Sequence, residues 1–105
     1  DKHTAGILPR PAEPSRFQEL FDDPQRWVIG YEAPGKTEEF SQRVTVTLPF
    51  LRRVVTSSIF YVTGQEKKSA LEAVLREDNE EPLSAAPARV IQEMNDVLVF
   101  TDLKV

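Results

Sequence analysis

The sequence predicts an α/β domain in which helices cover a largely parallel sheet. Two observations carry this. Short apolar runs rich in β-branched and aromatic residues (27–31, 58–63 and 97–101) alternate with stretches that suit helices. The last two of these runs are apolar on both faces, as strands between two helical layers are. With 105 residues, 40% hydrophobic and 29% charged, the chain amounts to one domain or part of one.

Taken in order, Pro9, Pro11, Pro14 and Pro24 break up the first third of the chain. Between them Ser15 can cap a short helix that carries Phe17, Leu20 and Phe21 on one face. Trp27-Val28-Ile29-Gly30-Tyr31 reads as a strand, and a polar loop follows to about Gln42. Arg43-Val44-Thr45-Val46-Thr47 alternates with period two, a half-buried strand or an extended lead into a helix. The helix would be Leu48 to Val55, with Pro49 tolerated in its first turn. Ser58-Ile59-Phe60-Tyr61-Val62-Thr63 is the clearest strand. Thr63 and Glu66 then offer a capping box for a helix reaching about Arg76, with Ala70, Leu71, Val74 and Leu75 as its buried stripe. An acidic, solvated loop follows at 78–82. A shorter helix interrupted by Pro87 spans 85–92, and Val97 to Thr101 forms a last apolar strand.

A net charge of −4 lacks the basic face that sequence-independent nucleic-acid binding needs. The absence of cysteine excludes disulfides and thiolate metal sites and fits a reducing compartment. A single histidine excludes a multi-histidine metal site within the chain, so no metal is expected. No apolar run approaches membrane-spanning length and no signal-peptide pattern is present. The expected localisation is cytoplasmic, with neither nucleic acid nor membrane as partner.

Gly30-Tyr31-Glu32-Ala33-Pro34-Gly35-Lys36-Thr37 fits the P-loop pattern to the letter. A P-loop, however, opens a helix whose N-terminus faces the phosphates, and the β-branched run from Val44 leaves no room for one. Nucleotide binding is therefore not the expected function. Asp1-x-His3 is looser as a pattern but richer in chemistry. Imidazole takes and returns a proton near neutral pH, and a carboxylate can fix its tautomer. From spacing alone the favoured reading of His3 is an exposed side chain near a terminus. Lys36 and Arg43, near strand ends, could clamp a phosphate through charge-assisted hydrogen bonds, or be solvated surface charges. Arg52-Arg53 reads as a solvated helix face. Lys67, close to a helix start, has a packing or ligand role open to it.

Together these pieces resemble the 6-phosphogluconolactonases of the glucosamine-6-phosphate isomerase/6-phosphogluconolactonase superfamily. Asp1-Lys2-His3-Thr4-Ala5-Gly6-Ile7-Leu8-Pro9 is similar to the signature Asp-Gly-His-Thr-Ala-Ser-Leu-Phe-Pro. The run RVTVTLPFLRRVVTSSIFYVTGQEKKSALEAVL resembles the segment in which Arg-Ile-Thr-Leu-Thr-Leu-Pro leads to a Phe-Leu-Val-Thr-Gly strand and a Lys-x-x-Ala-Leu helix. The closing VLVFTD is similar to the last strand of that family.

The resemblance implies a three-layer, Rossmann-like α/β fold of which residues 1–105 form the C-terminal portion, with an N-terminal portion elsewhere, in the same or a separate chain. It implies hydrolysis of 6-phosphogluconolactone to 6-phosphogluconate in the pentose phosphate pathway, without an obligatory cofactor. His3 would be the general base that activates water and Asp1 its orienting group. Lys36 and Arg43 would hold the phosphate of the sugar-phosphate substrate. Thr4, where the deaminases have isoleucine, favours the lactonase branch. Lys2 stands where the family has glycine, a position whose backbone freedom a side chain could restrict. The alternatives are a glucosamine-6-phosphate deaminase or isomerase and a non-catalytic sugar-phosphate-binding module.

Overall fold

The computed structural model describes residues 2–33, 35 and 38–105. Its elements are helix α1 (Pro14–Phe21), strand β1 (Val28–Glu32), the one-turn helix α2 (Glu38–Ser41) and strand β2 (Gln42–Val46). Helix α3 (Leu48–Arg53), strand β3 (Ser58–Val62), helix α4 (Lys68–Leu75) and strand β4 (Val97–Thr101) follow. Two 3-10 helices, Gln65–Lys67 and Pro87–Glu93, flank α4 in sequence.

The α/β class holds, with a division in pairing. β3 and β4 run parallel, from Ser58 opposite Val97 to Val62 opposite Thr101. β1 and β2 run antiparallel, from Val28 opposite Val46 to Glu32 opposite Gln42. The reason is local: β2 follows β1 after a connection that carries only the one-turn α2, whereas β3 reaches β4 only after α4 crosses over. α2 is a single turn that runs straight into β2, so no P-loop helix follows the motif at Gly30.

Proline sets the start of α1. Pro14 occupies the first turn and Glu13 the capping position without a side-chain bond, so Ser15 lies inside the helix rather than capping it. Phe17 and Phe21 are buried on its inner face, as their spacing predicts. Phe21 meets the Tyr31 ring edge-on at 4.9 Å between centroids, a favoured aromatic geometry. These rings join Ile7, Ile29, Ala33, Leu48 and Val90 in the core. Thr47 caps α3. Its hydroxyl accepts from the Phe50 amide and donates to the Arg26 carbonyl at 2.7 Å, in a fully buried position.

The reading of Arg52-Arg53 as a solvated face is corrected. Arg52 is half-buried and bridges Asp22 at 2.6 Å and Glu93 at 3.0 Å, tying the end of α1 to the second 3-10 helix. Burial works against the Arg52 charge, but the two carboxylates outweigh it and hold the guanidinium above its ordinary value. Arg53 stacks on Trp27, its guanidinium carbon 5.3 Å from the ring centroid.

β3 and β4 are covered on one face by α4 and the second 3-10 helix, with Leu71 and Val74 buried there. Their other face is bare among the described residues: Ile59, Tyr61, Leu98 and Phe100 are all more than half exposed. Apolar side chains on both faces of these strands were correctly expected, but cover exists on only one. The second 3-10 helix takes the place of the helix expected at 85–92, and Pro87 starts it rather than interrupting it. No described helix is long and apolar enough to cross a membrane.

Candidate active site

In open α/β sheets, ligands bind beyond the carboxyl ends of parallel strands. The chain places His3 there. A cleft of about 420 Å³ at the end of β3 is lined by His3, Thr4, Tyr61, Thr63 and Lys67, with Phe60 and Val62 beneath. An apolar cavity of about 90 Å³ adjoins it, and His3, Phe60, Val62 and Lys67 form walls of both. Of the candidate residues, the structure thus brings together His3 and Lys67.

The backbone around His3 is pinned on both sides. Downstream, residues 4–7 make a tight turn closed by the Ile7 amide on the Thr4 carbonyl at 2.8 Å, and Ile7 is fully buried. Ala5 takes a left-handed φ of 49° in this turn, an uncommon conformation for a residue with a Cβ. The Gly6 amide donates to Thr45 Oγ1 at 3.0 Å, and the Tyr31 hydroxyl donates to the Gly6 carbonyl at 2.6 Å. A Cβ at Gly6 would stand 2.9 Å from the Thr45 Cβ, so the close approach of turn and strand requires glycine. Upstream, the Ala88 amide donates to the Lys2 carbonyl at 2.8 Å. Lys2 itself is not in a left-handed conformation. Its replacement of glycine therefore costs no backbone strain. His3 is an exposed side chain on a fixed main chain, which is what a proton-transferring group needs.

Lys67 reaches the cleft by a different device from the capping box expected at Thr63 and Glu66. Gly64, at φ 99° and ψ 136°, is the residue that precedes the 3-10 helix, and no side chain caps it. That backbone conformation is open to glycine and denies Thr63 the capping position. The Gly64 amide donates to Asp102 Oδ1 at 3.1 Å, so the ends of β3 and β4 are fastened together. The Lys67 amide then donates to the Gly64 carbonyl at 3.0 Å, fixing the turn that carries Lys67. In the sequence Lys67 stood out only by lying close to a helix start.

Arg43 lies elsewhere. Its Nε donates to the Phe40 carbonyl at 2.9 Å, and it lines a shallow hollow with Gly30, Tyr31, Glu32, Gln42 and Val44. It does not line the cleft of His3. Tyr31 links the two, since it both feels the Arg43 charge and bonds the turn after His3. Asp1 and Lys36 lie outside the described residues. Among the described residues no cluster of three or more acidic, histidine or cysteine side chains could hold a metal ion.

The family model described as glucosamine-6-phosphate isomerases/6-phosphogluconolactonase matches residues 1–100. The chain belongs to this family. No curated protein and no solved structure gives a significant match. The glucosamine-6-phosphate isomerase/6-phosphogluconolactonase family covers two sugar-phosphate chemistries, and both need a proton-transferring group and a counter-charge for a phosphate. An imidazole, His3, and an ammonium, Lys67, line one cleft of this chain.

Proposed function

We propose that this sequence carries the proton-transfer side of a 6-phosphogluconolactonase site. The observation behind this reading is the shared cleft of His3 and Lys67 at the carboxyl end of β3. In this reading the His3 imidazole removes a proton from water as the water oxygen attacks the lactone carbonyl. The tetrahedral intermediate then collapses, the ring carbon–oxygen bond breaks, and imidazolium returns the proton to the departing ring oxygen. Lys67 supplies a compact cation for the substrate phosphate at a distance from the reacting carbon, where binding energy serves orientation. Asp1 orients the imidazole and Lys36 adds cationic character around the phosphate, whereas Arg43, which does not line this cleft, is not assigned to it. Thr4 beside His3, where the deaminase branch has isoleucine, favours lactone hydrolysis over deamination.

The test compares lactone opening with ammonia release from glucosamine 6-phosphate, using protein that contains this sequence. Wild type is expected to open 6-phosphogluconolactone and release no ammonia. His3→Asn should lower kcat by about 100-fold or more, the scale of a lost general base. Lys67→Met should act mainly on KM. Ammonia release would move the protein to the isomerase branch. Phosphogluconate binding without turnover would make it a binding module.

A further inference from the structure

The Lys2 side chain enters an ion pair that a glycine could not make. Its Nζ lies 2.6 and 2.7 Å from the two carboxylate oxygens of Glu81, both side chains about one-quarter exposed. Glu81 does not dangle from the loop. Its amide donates to Asn79 Oδ1 at 2.9 Å, and Asn79 Nδ2 donates to the Ala73 carbonyl at 2.8 Å. Arg89 locks the same loop, donating to the carbonyls of Ala73 at 2.9 Å, Arg76 at 3.0 Å and Asn79 at 2.6 Å. The loop is thus fastened to the C-terminal end of α4, the helix that continues directly from Lys67. The Lys2 carbonyl is held by the Ala88 amide, one residue before Arg89. One residue is consequently gripped through both main chain and side chain by a block that also forms a wall of the His3 cavity.

We propose that Lys2 is a positioning residue: its ion pair with Glu81 fixes the main chain that presents His3, holding it in register with the α4 block that carries Lys67. The proposal rests on the reading of His3 as the proton-transferring group. An ion pair this exposed contributes little to global stability. Its effect is geometric. A small displacement of a catalytic group costs far more in rate than the lost contact costs in stability.

The test uses Lys2→Met, which keeps the aliphatic stem, Glu81→Gln, and the exchanged pair Lys2→Glu with Glu81→Lys. Two readouts apply: amide hydrogen exchange at His3 and Ala88, which needs no activity, and steady-state kinetics on the lactone. Lys2→Met and Glu81→Gln should each speed exchange at both amides and lower kcat about tenfold with KM changed less than about twofold. The exchanged pair should recover most of both losses. Unchanged exchange in Lys2→Met overturns the proposal. A raised KM at constant kcat also overturns it and makes Lys2 a phosphate ligand instead. If wild type opens no lactone, the functional reading fails, while exchange still decides whether the clamp exists.

Discussion

The Tyr31 hydroxyl donates to the Gly6 carbonyl at 2.6 Å, across 25 residues of sequence. This bond joins a core aromatic of β1 to the turn that leaves His3, so the ring that Phe21 packs against also steadies the candidate active site. Burial pushes the Tyr31 phenol above its ordinary value of 10.0, while the Leu8 amide and the Arg43 and Arg10 charges pull the other way without cancelling it.

Tyr31→Phe is expected to destabilise the fold by about 1–2 kcal/mol, since it strips the Gly6 carbonyl of its donor. The alkaline limb follows from linkage. The native state holds the phenol proton more tightly than the unfolded chain, so its contribution is complete below the ordinary phenol value. It fades as pH rises through the higher native value. Urea unfolding between pH 8 and pH 11 should show about this fading in wild type and less of it in Tyr31→Phe. Parallel curves for the two proteins would refute the assignment.

Gly64→Ala places a Cβ 2.6 Å from a Glu66 carboxylate oxygen and forces a residue with a side chain to φ 99°. A loss of about 1–3 kcal/mol is expected. Adding Glu66→Ala removes the contact but not the strained backbone, so only part of the loss should return in thermal unfolding. Because Gly64 fixes the turn before Lys67, KM for a phosphorylated substrate should rise as well.

Thr47→Val retains shape but loses two bonds, the cap on the Phe50 amide and the donation to the Arg26 carbonyl. Full burial leaves both backbone groups without water, and about 1.5–3 kcal/mol should be lost in chemical denaturation. Thr47→Ser, which keeps the hydroxyl, should lose about 1 kcal/mol or less.

β1, β2, α3 and β3 were legible because their signals are written in contiguous residues: apolar β-rich runs, alternation in β2, Pro49 at the first turn of α3; the one-turn α2 lay within what read as a polar loop. The helix starts were less so. Pro14 overrode Ser15 through its fixed φ, and Gly64 overrode the Thr63–Glu66 box through a backbone state that composition does not reveal. Apolar patterning states which faces of β3 and β4 want cover and is silent on whether a covering layer is there. His3 was singled out through its signature. Its pairing with Lys67 was not, because they meet only through the way the chain closes on the strand ends. Arg52 read as part of a solvated face and Lys2 only as a replacement for glycine, since ion pairs between distant residues leave no local trace.

The last carbonyls of α4 have no helical partners of their own, and side chains from the second 3-10 helix supply them. Arg89 serves Ala73, and Gln92 Nε2 serves Val74 at 3.0 Å and Leu75 at 3.1 Å. Fraying of that helix end therefore exposes orphaned groups on both elements at once. Helix end, acidic loop and 3-10 helix are consequently expected to open as one cooperative unit, their amides sharing a single opening free energy instead of peeling away residue by residue.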